Sequence, residues 1–376
     1  MAALEPVSTL RFQVEDLPEE AANLRAEIRS FLATELAAGA FVPRCDAWLS
    51  GADPAFSRRL GERGWLGMTW PKRYGGHDRS AVERHVVVEE LLAAGAPVAA
   101  HWIADRQTGP LLLRYGTEEQ RLRLLPGMAR GEIRFAIGMS EPDSGSDLAS
   151  VRSSARRVAG GWRLDGSKVW TSGAHHADLM VTLVRSEPLG DDRHAGLSQL
   201  IVDLKGPGVE IRPIRLLTGE HHFNEVLLHD CLVPDAMLVG ELGGGWKQVT
   251  SELAYERSGP ERFLSTFPLL AAMAATSGSA AVGRLEARLW TLRRLSLAVA
   301  GALRRGEEPA TEAALVKDLG TVFEREVTEV SRAIHGGEPS HPLFEHYRRS
   351  LLEGPGFTLR GGTNEVLRSV VARSLR

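Results

Sequence analysis

Lysine is the scarcest charge in this chain: only Lys72, Lys168, Lys205, Lys247 and Lys317 occur among 45 basic residues, and arginine supplies the rest. Arginine can clamp phosphates bidentately, yet 48 acidic residues bring the net charge to -3. That balance gives no reason to expect nucleic-acid binding or strong membrane attraction. Cysteine is nearly absent. Cys45 and Cys231 allow at most one disulfide, fit a reducing compartment, and have no metal-ligand neighbours at useful spacing. No apolar run reaches the roughly 18 residues a spanning helix needs. The opening Met-Ala-Ala-Leu-Glu-Pro lacks the basic segment and apolar core of a signal peptide, so a cytoplasmic location is expected.

What remains is an ordinary globular composition, 43% hydrophobic and 25% charged over 376 residues, long enough for two or three domains. Helical periodicity runs from about Leu17 to Arg130. It predicts helices over Ala21–Leu36, Asp53–Leu60 and Asp78–Ala94, the last capped by Asp78, and one started by Thr117 and ending near Pro126. The period then shortens. Arg134–Met139, Val151–Val158, Gly161–Val169, Leu179–Arg185, Leu200–Asp203 and Glu225–Val233 have strand character, with a hairpin at Ala159-Gly-Gly161. Helical spacing returns at Trp246, with breaks expected at Gly259-Pro260, Gly301–Pro309 and Gly336–Pro342. Between Arg284 and Arg305, arginines alternate with Leu285, Leu289, Leu292, Leu295 and Val299, which reads as a solvated face over a buried stripe. The domains expected are 1–133 (helical), 134–240 (β) and 241–376 (helical).

Two segments carry the chemistry. Met139-Ser-Glu-Pro-Asp-Ser-Gly-Ser-Asp147 and Lys168-Val-Trp-Thr-Ser-Gly173 are turns rich in hydroxyls and backbone N–H groups, and Trp170 offers a flat apolar surface to a planar ring. Together they resemble the flavin-binding segments of the acyl-CoA dehydrogenase family, Thr/Ser-Glu-Pro-x-x-Gly-Ser-Asp and, more loosely, Trp-x-Thr/Ser-x-Gly. The resemblance extends over nearly the whole chain. It implies a mainly α fold with a central β-domain: an N-terminal helical domain, a β-barrel-like middle domain and a C-terminal four-helix bundle. It also implies FAD, a coenzyme A thioester substrate, and removal of the Cα proton by a base with hydride transfer from Cβ to flavin N5. By motif match, Met139, Ser140, Gly145, Ser146, Trp170, Thr171, Gly336, Gly337 and Thr363 are the cofactor residues, with Thr171 near the N5 edge and Ser146 also near substrate.

The family places its base at one of two positions. The glutamate of a final Tyr-Glu-Gly-Thr segment is replaced here, where Arg360-Gly-Gly-Thr-Asn-Glu365 puts Gly361 in its place. The other pattern, a glutamate before an arginine on the first helix after the β-domain, matches Tyr255-Glu256-Arg257. Helical geometry adds to the match: Trp246, Val249, Leu253 and Glu256 fall within an arc of about 80°. A carboxylate on an apolar face is costly unless paired or functional. Glu256 is therefore the expected base, with Tyr255 and Arg257 toward the substrate. Glu365 lies about one helical turn beyond Gly361 and is assigned to capping or packing.

Three features depart from the family. The Arg-x-x-Phe-Gly segment, whose arginine reaches the flavin pyrophosphate, has no good counterpart in Glu261-Arg-Phe-Leu-Ser-Thr-Phe-Pro-Leu-Leu270. Ser144 replaces an alanine, and Ala333 replaces the Gln of Gln-x-x-Gly-Gly. Three explanations stay open: Arg284 or Arg288 rebuilds the clamp, the chain supplies part of a site in a heteromer with a related subunit, or the fold serves another flavin-dependent oxidase or monooxygenase reaction or a non-catalytic partner role. A homotetramer or homodimer and an electron-transferring flavoprotein as electron acceptor complete the expectation. The adjacent pairs His175-His176 and His221-His222 form no recognisable metal pattern.

Overall fold

The computed structural model describes residues 10–256 and 259–375, with the backbone alone for residues 252–256. Contacts group the chain into two compact units. One comprises the chain through Trp48, Ser80–Ala96 and Ala254 onward; the other comprises Leu49–Arg79 and Pro97–Leu253.

The second unit holds the β-structure. Its strands are β1 (Phe135–Gly138), β2 (Ser154–Val158), β3 (Gly161–Ser172), β4 (Leu179–Arg185), β5 (Leu197–Asp203), β6 (Val209–Arg215), β7 (His221–Pro234) and β8 (Leu238–Val239). They form one sheet in the order β6-β7-β3-β2-β4-β5-β8, with β1 added in parallel to β4. Ala159 and Gly160 close the β2–β3 hairpin, with Gly160 at φ 76°. The sequence pattern misses β6 because Pro213 interrupts it. β6 lies at the end of the sheet, where a missing N–H breaks no ladder. One core of this unit gathers Trp162, Leu164, Met180, Val184, Leu200, Val226 and Leu228 from the sheet. A second sets Phe135, Val181 and Ile201 against Trp70, Leu111, Leu112, Leu124 and Leu125 from the helical segments.

The helix Glu118–Ala129 starts where expected. The Thr117 hydroxyl accepts from Gln120 N–H, and the Gln120 side chain accepts from Thr117 N–H, a reciprocal capping box. It runs past Pro126 to Ala129.

In the first unit the helices Glu19–Ala37, Ala81–Ala93 and Ala280–Arg304 pack in sequence. The helix expected from Asp78 starts instead at Ala81. Asp78 has φ 50°, unlike the extended backbone a cap needs, and Ser80 takes the role in a capping box with Glu83. Ala280–Arg304, Ala310–His335, Phe344–Phe357 and Asn364–Ser374 make a four-helix bundle around Ala310–His335. Gly301 continues its helix rather than ending it, and its bare Cα leaves room for Glu15: an added Cβ would lie 2.2 Å from Glu15 Oε2. Of the expected stripe, Leu285, Leu292 and Val299 are buried, while Leu289 and Leu295 are half-buried. The arginine abundance has a local use here, since Arg25 and Arg293 both bind Glu89 while Arg29 binds Glu90. The fold is thus mainly α with a central β-domain. Among the described residues, no helix is long and apolar enough to cross a membrane.

Candidate active site

The two hydroxyl-rich segments meet through the central strands. Glu141, the glutamate of the first segment, is buried, and so is Lys168, which opens the second. Lys168 Nζ donates to Glu141 Oε1 at 2.6 Å and to Met139 O at 3.3 Å, and the backbone N–H groups of Arg152 and Ser153 donate to the same carboxylate at 2.6 and 2.9 Å. Val169 N–H donates to Ser140 O at 2.9 Å. Burial alone would raise the Glu141 carboxyl, but the Lys168 charge and these donors hold it below the usual range. Burial pushes the Lys168 ammonium down to about 8 against the pull of Glu141. Glu141 is therefore a bracket between the segments, and Lys168 is the residue that sequence reasoning missed. Its signal was rarity: one of five lysines, placed two residues before Trp170.

The first segment folds as a tight turn. Glu141 and Ser144 exchange backbone hydrogen bonds at 2.7 and 3.1 Å, and the buried Ser144 hydroxyl donates to Asp147 O at 2.9 Å. The replacement of alanine by Ser144 thus faces inward and braces the turn. Gly145 and Ser146 are exposed at its tip, and a Cβ added at Gly145 would meet nothing within 4 Å. Met139 is half-buried beside Trp246, Val249 and Leu148. The face expected of the helix Gly245–Glu256 is seen as far as side chains are described: Val249 is buried and Trp246 half-buried.

The second segment is bulged. On β7, Val226 pairs with Lys168 and Asn224 pairs with Thr171, so β3 carries one residue more than its partner between them. Trp170 takes up the excess with φ 58°, a left-handed backbone costing on the order of 1–3 kcal/mol for a side chain of this size. The result separates two neighbours: Trp170 is 56% exposed, with Phe223 edge-on at 5.8 Å, while Thr171 is wholly buried. Thr171 Oγ1 has no hydrogen-bond partner among the described residues. A buried hydroxyl without a partner costs about 1–3 kcal/mol, and the chemistry that relieves it is a polar ligand edge. That orphan hydroxyl, next to an exposed indole, fits a planar heterocycle such as a flavin.

Below Thr171, the two histidine pairs come together. His175 stacks on His221 with ring centroids 4.0 Å apart and planes at 25°, and His176 lies tilted 3.9 Å from His175. Both His175 and His221 reach Asn224 Oδ1. Burial first, then the neighbouring His176 and His221, pushes His175 down to about 4.

The remaining sequence candidates lie in the other unit. Glu256 ends the helix Gly245–Glu256 and Tyr255 precedes it; both side chains, and all of Arg257, lie outside the described residues. Gly336 and Gly337 are both left-handed (φ 66° and 68°) and terminate the helix Ala310–His335; a Cβ at Gly337 would meet the Tyr347 ring at 3.1 Å. Thr363 caps the helix Asn364–Ser374, its hydroxyl accepting from Val366 N–H at 3.4 Å. Glu365 is exposed in that helix's first turn, held below the usual carboxylate range by its own backbone N–H and then by Thr363.

The turn from Thr358 to Asn364 is gripped by buried charge. Lys317 Nζ donates to Gly362 O and Asn364 Oδ1, both at 2.7 Å, and to Thr358 O at 3.3 Å. Arg360 Nη1 binds both Asp46 oxygens at 2.7 and 2.9 Å, and Arg360 Nη2 donates to Ser265 Oγ at 2.7 Å. Gly361, in the place of the family's final-segment glutamate, has φ 68°, and an added Cβ would lie 2.9 Å from Arg262 Nη2. Arg262 is itself buried, 5.3 Å from the Trp48 ring. Of the arginines considered as a replacement clamp, Arg288 pairs with Glu326 over the Phe323 ring and Arg284 is exposed.

Comparison with known proteins matches this architecture along the chain. Residues 18–132 match the acyl-CoA dehydrogenase N-terminal domain, 136–231 the middle domain and 272–376 the C-terminal domain. The acyl-CoA dehydrogenase FadE29 of Mycobacterium tuberculosis is 34% identical over 96% of this chain and 97% of its own. Among solved structures, the Tcur3481-Tcur3483 steroid ACAD superposes with a TM-score of 0.83 at 31% identity, covering 95% of this chain and 98% of its own. The ChsE4-ChsE5 complex from Mycobacterium tuberculosis gives 0.82 at 29%, covering 96% and 98%. The chain belongs to the acyl-CoA dehydrogenase family, flavin-dependent oxidoreductases that act on CH–CH bonds.

Proposed function

We propose that this chain catalyses FAD-dependent α,β-dehydrogenation of an acyl-CoA thioester. The observation that carries the reading is the buried Thr171 hydroxyl, without a partner among the described residues, beside the exposed Trp170 ring, on a bulge tied to the Met139–Asp147 turn through Lys168 and Glu141. FAD, when bound, would supply the hydride acceptor. Thr171 would hold the ring edge through a hydrogen bond from its hydroxyl, and Trp170 would pack against the ring system. Met139, Ser140, Gly145 and Ser146 would line the isoalloxazine, ribityl and nearby substrate region. Gly336, Gly337 and Thr363 are assigned to the cofactor by family resemblance alone, and the capping role of Thr363 competes with that assignment.

Glu256 takes the Cα proton, with Tyr255, Arg257 and Ser146 holding substrate. Two features support Glu256 as base: its place on the arc that includes the buried Val249, and the loss of the alternative carboxylate at Gly361. The domain bounds proposed are 133/134 and 240/241, and electrons pass on to an electron-transferring flavoprotein.

A homotetramer or homodimer is the first reading of the assembly. A heteromer with a related subunit is the second reading, favoured by the absent Arg-x-x-Phe-Gly segment and by the engagement of Arg288 with Glu326. The two-component names of Tcur3481-Tcur3483 and ChsE4-ChsE5 support it as well. The steroid in the first name puts a steroid acyl thioester in the substrate panel. The test is to purify the chain alone and with a candidate related subunit, reconstitute with FAD, and follow anaerobic bleaching with acyl-CoAs. Bleaching by either preparation supports the reading. Failure of both to retain flavin contradicts it, and oxygen-dependent substrate hydroxylation would move the assignment to a monooxygenase.

A further inference from the structure

The proposed reaction leaves the histidine pairs without a task, although strands β3 and β7 bring them directly beneath the bulge. Asn224 is fully buried at the junction. One end of its amide lies 2.9 Å from Thr171 O, and the other lies 3.1 Å from His175 Nδ1 and 2.7 Å from His221 Nε2. Chemistry fixes the orientation. A peptide carbonyl can only accept, so Asn224 Nδ2 faces Thr171 and Oδ1 faces the imidazoles. Both imidazole nitrogens must then donate, which sets His175 as the Nδ1–H tautomer and His221 as the Nε2–H tautomer. The two rings stack on one another, each holding the other against Asn224.

The bulge gives this arrangement its purpose. Regular pairing is lost opposite Trp170 and resumes at Thr171, so the aim of the Thr171 side chain depends on what holds its peptide. We propose that Asn224, fixed by the stacked His175 and His221, is the positioning residue that aims the Thr171 hydroxyl into the ligand site. The inference rests on the flavin reading above for the identity of that ligand, but the clamp itself is a property of the chain.

The test has two arms, both on the full-length protein. Nitrogen NMR of the imidazoles is expected to show His175 as Nδ1–H and His221 as Nε2–H, and Asn224→Leu is expected to release both and speed exchange of the Ser172 amide, which shares its peptide unit with Thr171 O. Opposite tautomers in the wild type, or unchanged exchange in the variant, would overturn the clamp whether or not flavin binds. With FAD loaded, Asn224→Asp still accepts from the imidazoles but cannot donate to Thr171 O. It is expected to retain flavin with a shifted visible band and a shifted reduction potential. Its kcat should fall about 100-fold with KM little changed, the scale of a misplacement of about 1 Å. If Asn224→Asp does not fold, His221→Leu is expected to reproduce these shifts and His221→Gln, which keeps an N–H donor, to rescue them. A wild-type spectrum and potential in Asn224→Asp or His221→Leu would refute the positioning role. A chain that takes up no FAD contradicts the flavin reading instead, and the NMR arm alone then decides the clamp.

Discussion

Replacing Lys168 with methionine keeps most of the side chain's stem and removes only its charge. The stem runs close to Gly138, where an added Cβ would lie 3.1 Å from Lys168 Cγ, so the site tolerates length but little extra width. The variant loses the 2.6 Å contact to Glu141 and the 3.3 Å contact to Met139 O, and leaves a buried carboxylate with the Arg152 and Ser153 N–H groups as its remaining donors. Breaking a buried pair on one side costs about 3–5 kcal/mol, because the partner's desolvation is no longer offset. Urea unfolding at pH 7 should show a deficit of that size, and Lys168→Met/Glu141→Gln should recover about half of it.

The pH dependence tests the cause. In the wild type, Glu141 is held below its ordinary 4.5, so its contribution is present above that value and lost as pH falls through the folded one. Without Lys168, burial dominates and the carboxyl moves up, so it accepts a proton at a higher pH than in the wild type. The deficit should therefore be largest at neutral pH and shrink in mild acid. A deficit below about 1 kcal/mol, as for an exposed pair, or one independent of pH, would refute the bracket.

Glu324 offers a test of opposite sign. It is buried with Ser265 N–H on Oε1 at 2.8 Å, and burial raises it to about 7 from 4.5. Its folded form binds the extra proton, so the wild type loses stability between pH 4.5 and 7; Glu324→Gln should gain relative to it across that window, by about 3 kcal/mol, and stay level above. Equal pH profiles would contradict this. Gly361→Glu should not restore a working base. The left-handed backbone alone costs about 1–2 kcal/mol, and the new side chain runs into the Arg262 guanidinium, so a lowered melting temperature without any rescue of Glu256→Gln activity is expected. Rescue would overturn the steric argument.

The fold was legible where period and punctuation agreed. β4 and its burial followed from the run Leu179–Arg185, and the Thr117 cap from its Gln120 partner. β6 was hidden by Pro213 because edge position is a tertiary fact, and Asp78 looked like a cap until its φ excluded it. At the site, the hydroxyl-rich segments were readable as a pair. Their mechanical connection was not, since Glu141 and Lys168 are 27 residues apart. Nor could spacing reveal that His175 meets His221, because the sheet register brings them together.

As proposed, Glu256 removes the Cα proton of the acyl-CoA thioester, and Thr171 and Trp170 hold the flavin. The most direct measurement is stopped-flow anaerobic bleaching of FAD-loaded wild type and Glu256→Gln with the best acyl-CoA of the panel. Equal flavin retention is expected, with a rate reduced on the order of 1,000-fold in the variant, within the range for loss of a general base. Bleaching of Glu256→Gln at the wild-type rate would contradict it.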